Sequence, residues 1–335
     1  MSKRYDGPII DPHHHLWDLG LGRHPWLAST AKQSGGLGDL TQLRRNYLPS
    51  DYLRDASGHN IVATVHVEAG WDPSDCLGET QWLEALEKPG GVGARYVVHV
   101  PLASSEAFKL LDAQVSFSRV VGVRDILSWS EDPARRFAAH GDLMRHPAWR
   151  AGLAALAGHN LVFDLMVYAS QLREAAQLIS EFPNQLFVLN HCGSPIDRDP
   201  EGIRCWRDGL AAVARSPNAR IKISDLVAYD HNWSLDSIRH VVLRCLDAFG
   251  PERAMFASDF PVTALHATFD QTYGAFKTIV CDFSPTEQRS LFFDNANLTY
   301  RIDVGSGSIK LAGSPRIADS NRRRTRSRGT RGKVL

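Results

Sequence analysis

The sequence contains no apolar run approaching the roughly 20 residues that cross a bilayer. Its opening, MSKRYDGPIID, lacks the apolar stretch of a secretory signal, so a soluble cytoplasmic protein is expected. The five cysteines (Cys76, Cys192, Cys205, Cys245 and Cys281) form no CxxC pair, and an odd number cannot all pair internally. Reduced thiols fit this better than a disulfide framework. Cys192 adjoins His191, which admits a nucleophile; a small buried filler on a strand is the simpler reading. No GxGxxG or GxxxxGK[ST] turn occurs, which argues against a doubly wound nucleotide-binding sheet. No repeat of 20–50 residues is present. What is there, over 335 residues, is 43% hydrophobic and 22% charged with 26 Gly and 17 Pro, which excludes a wholly disordered, collagenous or coiled-coil chain.

The net charge of +1 conceals an asymmetry. Residues 304–335 hold nine Lys and Arg against the single acid Asp319, a balance of +8, so residues 1–303 carry −7. A Gly/Ser-rich stretch with few large apolar residues reads as a disordered basic tail on a single folded domain, 1–303. The tail has no aromatic residue to stack on bases, and an acidic body repels phosphate, so nucleic acid is not expected as a partner.

Near-continuous apolar runs recur along 1–303: Pro8–Asp11, Ile61–Glu68, Ala94–Pro101, Val120–Leu127, Leu161–Val167, Leu186–His191, Ile221–Leu226 and Ala254–Asp259. This is the pattern of parallel strands buried on both faces. Amphipathic stretches lie between them, among them Gly78–Glu87, Glu106–Ser116, Ser170–Phe182 and Leu235–Phe249, the last stopped by Gly250-Pro251. Eight strands alternating with helices predict an α/β fold, a single (β/α)8 TIM barrel. Residues 20–50 read as a long loop after the first strand.

Each candidate strand ends in a titratable or polar residue: His13 and His15, Glu68, His99, Arg124, Asp164, His191, Ser224 or Asp225, and Asp259. In a parallel barrel all strand ends meet at one mouth, where catalytic groups sit. Burying such groups without partners costs a few kcal/mol each, so packing alone does not account for the register. In Asp11-Pro12-His13-His14-His15, strand alternation sends His13 and His15, with Asp11, to one face. His14 goes to the other, where it reads as a surface histidine. An HxH pair leaving a strand chelates a metal or directs two donors at one oxygen.

IIDPHHHLWD followed by HPWL, VHVEAGWD, GVRDIL, FDLMV, LNHCGSP, FGPERAMFASDFPV and the closing NANLTYRI resemble the amidohydrolase superfamily. More narrowly they resemble its amidohydrolase-2 branch, which holds sugar lactonases and 2-pyrone-4,6-dicarboxylate lactonase. The similarity spans roughly residues 8–303. It implies a hydrolase with His13, His15, His191 and Asp259 around one divalent metal, Zn2+ first, or none. Asp259 would be the general base on water, and the histidines would polarise a scissile carbonyl, directly or through the ion. The binuclear members' fourth-strand lysine is absent from VVGVRDIL, which argues against two metals.

Arg124 suits a carbonyl or carboxylate clamp, or alternatively an ion pair with Asp125 or Asp164. Glu68, His99, Asp164 and Trp26 are assigned to substrate, with His24 beside Trp26 at the rim. His66 reads as a core histidine. Asp225 either reaches the mouth or pairs near Lys222. The expected substrate is a small lactone or carboxylated compound. Decarboxylation by the same His/Asp set is the alternative, and exposed barrel helices leave a homodimer open.

Overall fold

The apolar runs form one eight-stranded sheet whose neighbours follow chain order from β1 to β8, all parallel. The strands are β1 (Ile9–His14), β2 (Ile61–Val67), β3 (Arg95–His99), β4 (Val120–Arg124), β5 (Val162–Leu165), β6 (Phe187–Leu189), β7 (Ala219–Ile223) and β8 (Ala254–Phe256). A computed structural model describes residues 4–28 and 36–305. From residue 306 on, the basic tail lies outside the described residues, as do residues 29–35 of the long first loop.

The helices are α1 (Pro49–Asp55), α2 (Gly78–Ala85), α3 (Ala107–Val115), α4 (Pro147–Gly158), α5 (Leu172–Glu181), α6 (Pro200–Ala214), α7 (Leu235–Phe249), α8 (Phe269–Ile279), α9 (Pro285–Arg289) and α10 (Asn295–Tyr300). The expected stop of α7 is observed: Gly250, at φ 74°, caps it with its N–H on the Leu246 carbonyl. Beyond the strand ends β1 and β8 are stitched together. Asp259 N–H donates to the His13 carbonyl and His15 N–H to the Phe260 carbonyl, each at 2.8 Å. The predicted TIM barrel is the fold. Among the described residues no helix is long and apolar enough to cross a membrane.

Two apolar layers hold it. Outward-facing strand residues such as Phe163, Phe187, Ile221 and Phe256 pack under the helices against Trp149, Leu178, Val242 and Phe276. Inside the barrel, Ile10, Val65, Val97, Val121, Val162, Val188 and Met255 meet Phe293, Ala296 and Tyr300 of the carboxy-terminal helical segment, which plugs the amino-terminal end. That leaves the opposite end for polar groups.

One expectation fails in β1. Ladder partners run Asp11↔Thr64 and then His14↔His66, so a bulge at Pro12-His13 adds a residue and inverts the alternation. Asp11 therefore points outward with His14, not inward with His13. Its carboxylate accepts from Tyr52 Oη of α1 at 2.8 Å and from Ser258 N–H at 2.8 Å. His14 is not at the surface: it is fully buried, 4.6 Å from the Tyr52 ring, with Nε2 2.8 Å from Thr64 Oγ1.

Candidate active site

Three consecutive strand ends reach the mouth by the same backbone device. His191 after β6, Asp225 after β7 and Asp259 after β8 have φ of 51°, 52° and 54°. The left-handed region costs a residue with a Cβ roughly 1–2 kcal/mol. The same strain repeats at the ends of three neighbouring strands and forms one rim.

The rim converges on Asp259. His13 Nε2 and His15 Nε2 each lie 3.1 Å from Asp259 Oδ1, and the His13 and His191 rings are 4.7 Å apart. The other ring nitrogens are fixed: His15 Nδ1 sits 2.8 Å from the Val67 carbonyl and His191 Nδ1 2.9 Å from Ser224 Oγ. Burial, reinforced by Lys222, holds the His13 pKa well below the imidazole range; burial, against the charge of Asp259, brings His191 to about 4. Burial alone would raise Asp259, but His191, the His15 hydrogen bond and Arg124 outweigh it and keep the carboxyl below its usual value. Asp225 behaves oppositely. Burial and the neighbouring Asp259 charge push it well above the carboxylate range. The two carboxyls are thus shifted in opposite directions.

Arg124, on β4, is held by Glu68 at the end of β2. Its Nε donates to Glu68 Oε1 at 2.6 Å and Nη2 to the Glu68 carbonyl at 2.7 Å, while Nη1 stands 3.4 Å from His13 Nε2. Below lies a second buried pair. Lys222 of β7 bonds Asp164 of β5, lies 3.5 Å from His13 Nδ1 and sits 4.8 Å over the Tyr300 ring. Asp164 also accepts from Tyr300 Oη at 2.8 Å and Asn190 Nδ2 at 3.1 Å.

The family described as amidohydrolase matches residues 10–302. The chain belongs to the amidohydrolase family. An uncharacterised protein, y4mH, of Sinorhizobium fredii is 37% identical over 297 residues, covering 89% of this chain and 99% of that one. An L-fucono-1,5-lactonase of Burkholderia multivorans is 29% identical, covering 78% of this chain and 85% of its own. A crystal structure of a Burkholderia multivorans amidohydrolase with bound HEPES superposes with TM-score 0.74 at 25% identity, covering 88% of this chain and 99% of that one. A second form with bound zinc gives TM-score 0.72 at 25% identity over the same shares.

In this amidohydrolase His13, His15, His191, Asp259, Arg124 and Glu68 share one cluster. His99 lies at its edge, half-buried, with Nδ1 3.3 Å from the Arg124 carbonyl. Trp26 is at the rim, its indole N–H donating 2.7 Å to the Ala69 carbonyl. Asp164 is not where a substrate would meet it: fully buried, it is occupied by Lys222, Tyr300 and Asn190. The ion pair weighed for Arg124 with Asp125 or Asp164 is made with Glu68 instead, while Asp125 turns outward to Trp149 Nε1 at 2.8 Å. Asp225 reaches Asp259 and Thr263 rather than Lys222. The sequence offers Lys222 only as a neighbour for Asp225 and leaves its face open; the structure turns it inward beside His13. Tyr300 carried no signal, because its role depends on a helix folding back under the barrel.

A further buried acid supports Glu68. Glu79 of α2 accepts from Ala69 N–H at 2.8 Å and lies 3.1 Å from Nε2 of the buried His66, whose Nδ1 has no partner among the described residues. Burial and the Glu68 charge raise Glu79 to about 8. The folded protein therefore keeps a proton that the unfolded chain releases near pH 4.5, so this group's stabilisation falls as pH rises from about 4.5 to 8. Glu79→Gln is expected to flatten the alkaline decline of Tm, measured by thermal melts from pH 6 to 9. An unchanged slope would show that Glu79 is ionised in the fold.

Proposed function

We propose that this amidohydrolase opens a lactone, or a related cyclic ester, by attack of water with Asp259 as general base. The observation that carries this reading is the convergence of His13 Nε2 and His15 Nε2 on Asp259 Oδ1, each at 3.1 Å, beside a neutral His191. An ionised carboxylate at the mouth of a barrel takes the proton of an attacking water. His13 and His191 hold the carbonyl oxygen and stabilise the oxyanion as it forms, while His15, its Nδ1–H given to the Val67 carbonyl, turns Nε2 to Asp259. The two lactonase relatives from Burkholderia species, 29% and 25% identical, favour the same chemistry.

The donor set also fits a divalent ion. His13, His191 and Asp259 each present a ligand atom within 4.8 Å of the others, with the imidazoles neutral and the carboxylate charged. Zn2+ suits such a nitrogen and oxygen set, and when bound it would supply Lewis-acid polarisation of the carbonyl or of water. Adding Zn2+ to chelator-treated protein is expected to raise Tm by about 2–4 °C at roughly a hundred times Kd. His191→Ala, which deletes a ligand, should show no rise; an equal rise in the variant would place the ion elsewhere.

The surroundings of Arg124 favour hydrolysis over decarboxylation. Two of its three nitrogens are spent on Glu68, which offsets its charge. The side-on Nε/Nη2 fork is thus taken, and Nη1 faces His13 Nε2 at 3.4 Å and Met166 Sδ at 3.9 Å, an arrangement suited to an uncharged carbonyl. A panel of lactones assayed for ring-opened acid and for released CO2 tests this. Acid without CO2 is expected; stoichiometric CO2 from a carboxylated aromatic, with no lactone turned over, overturns it.

A further inference from the structure

Ser224 takes no part in the reaction above, yet its hydroxyl touches a group that does. It follows β7, two residues beyond the inward-facing Lys222, and is fully buried. β6 and β7 are neighbours, paired at Leu189↔Ile221, so the residues beyond their ends bring His191 and Ser224 side by side. Ser224 Oγ lies 2.9 Å from His191 Nδ1.

The backbone around His191 is already set. Residues 191–194 run through φ of 51°, 57°, 71° and 49°, a left-handed turn. Gly193 N–H closes it on the Asn190 carbonyl at 2.9 Å and Ser194 N–H on the His191 carbonyl at 2.8 Å. That turn places the Cβ of His191 and leaves the ring free to rotate. Ser224 is the ring's only hydrogen-bond partner among the described residues. Nε2, the nitrogen left over, is not sealed from solvent.

Where the proton sits in this contact decides what His191 can do. The ring is neutral, so it carries one N–H. Were Nδ1–H to donate to Oγ, the Ser224 hydroxyl proton would be buried without an acceptor, because Oγ has no second partner among the described residues. A cation ligated at Nε2 would need that sense. Were Oγ–H to donate to Nδ1, every buried proton is placed and the ring N–H falls on Nε2. A buried donor with nothing to receive it is the costlier state, which favours the second sense.

We propose that Ser224 is a positioning residue: its hydroxyl donates to His191 Nδ1, fixes the ring proton on Nε2 and makes His191 a hydrogen-bond donor to the substrate's carbonyl oxygen. With the proton on Nδ1 the same ring would turn a lone pair on the developing oxyanion and oppose it. The catalytic consequence rests on the lactonase reading above; the place of the proton does not.

The test reads the ring directly. Long-range proton–nitrogen correlation spectra of nitrogen-15-labelled, chelator-treated protein at neutral pH show which ring nitrogen is protonated, with His191 assigned by its absence in His191→Ala. The wild-type ring is expected to carry its proton on Nε2. In Ser224→Ala the signals should move toward a mixture of both forms. On the lactone the wild type turns over best, kcat of that variant should fall about tenfold, with KM within about threefold. Ser224→Thr keeps the hydroxyl and should retain the wild-type spectrum and most of the wild-type kcat. A proton on Nδ1 in the wild-type ring overturns the assignment without calling on any variant to fold. Equal losses of kcat in the alanine and threonine variants, with the wild-type spectrum kept in both, overturn the positioning role. If the wild-type protein opens no lactone, the lactonase reading falls while the spectrum still decides where the proton sits.

Discussion

Asp259→Asn is expected to lower kcat on the lactone substrate by about a hundredfold or more, with KM little changed. Asparagine keeps the shape and an oxygen in the place of Oδ1, which lies 3.1 Å from both His13 Nε2 and His15 Nε2. It loses the capacity to take a proton, a step that contributes about 10²–10⁴-fold, together with the negative charge. The low pKa of Asp259 sharpens the contrast, since the wild-type group is ionised throughout the neutral range. Initial rates of acid release, with a melting curve to show an intact fold, provide the check. Near wild-type turnover would remove Asp259 from the chemistry.

The largest stability effect is expected at Lys222→Met. Lys222 and Asp164 are both fully buried, and the ammonium lies against Asp164 with His13 and the Tyr300 ring beside it. Removing the lysine strands a carboxylate inside the barrel, at a cost of about 3–5 kcal/mol. Urea unfolding should report this as a lower midpoint. The double variant Lys222→Met/Asp164→Asn removes both charges and keeps an acceptor for Tyr300 Oη, so it should lose clearly less than the single variant. Equal losses in the two proteins would mean that lost packing, and not the stranded charge, dominates. Loss of the Nδ1 neighbour should also loosen His13, so kcat falls in both variants.

These two sites were unequally legible. Asp259 stands at the end of an apolar run that also carries a family motif, and its neighbours His13, His15 and His191 stand at the ends of theirs. Each is a local signal, and parallel strand order brings the ends together. Lys222 has no such signal: KIS reads the same whether the lysine points in or out, and its partner is 58 residues away. Glu68 with Arg124, 56 residues apart, is likewise a pairing between strands that share no neighbour relation in the chain.

The sequence by itself determined the barrel, the order of its strands and the four residues at its mouth, because buried parallel strands need continuous apolar runs and leave only their ends free for polar groups. Tertiary structure alone decided which acids meet which cations. A one-residue bulge sent Asp11 and His14 outward, and a terminal helix folding under the barrel set Tyr300 against Asp164. Both outcomes follow from the same cause: a buried charge takes the nearest partner in space, and distance along the chain does not encode it.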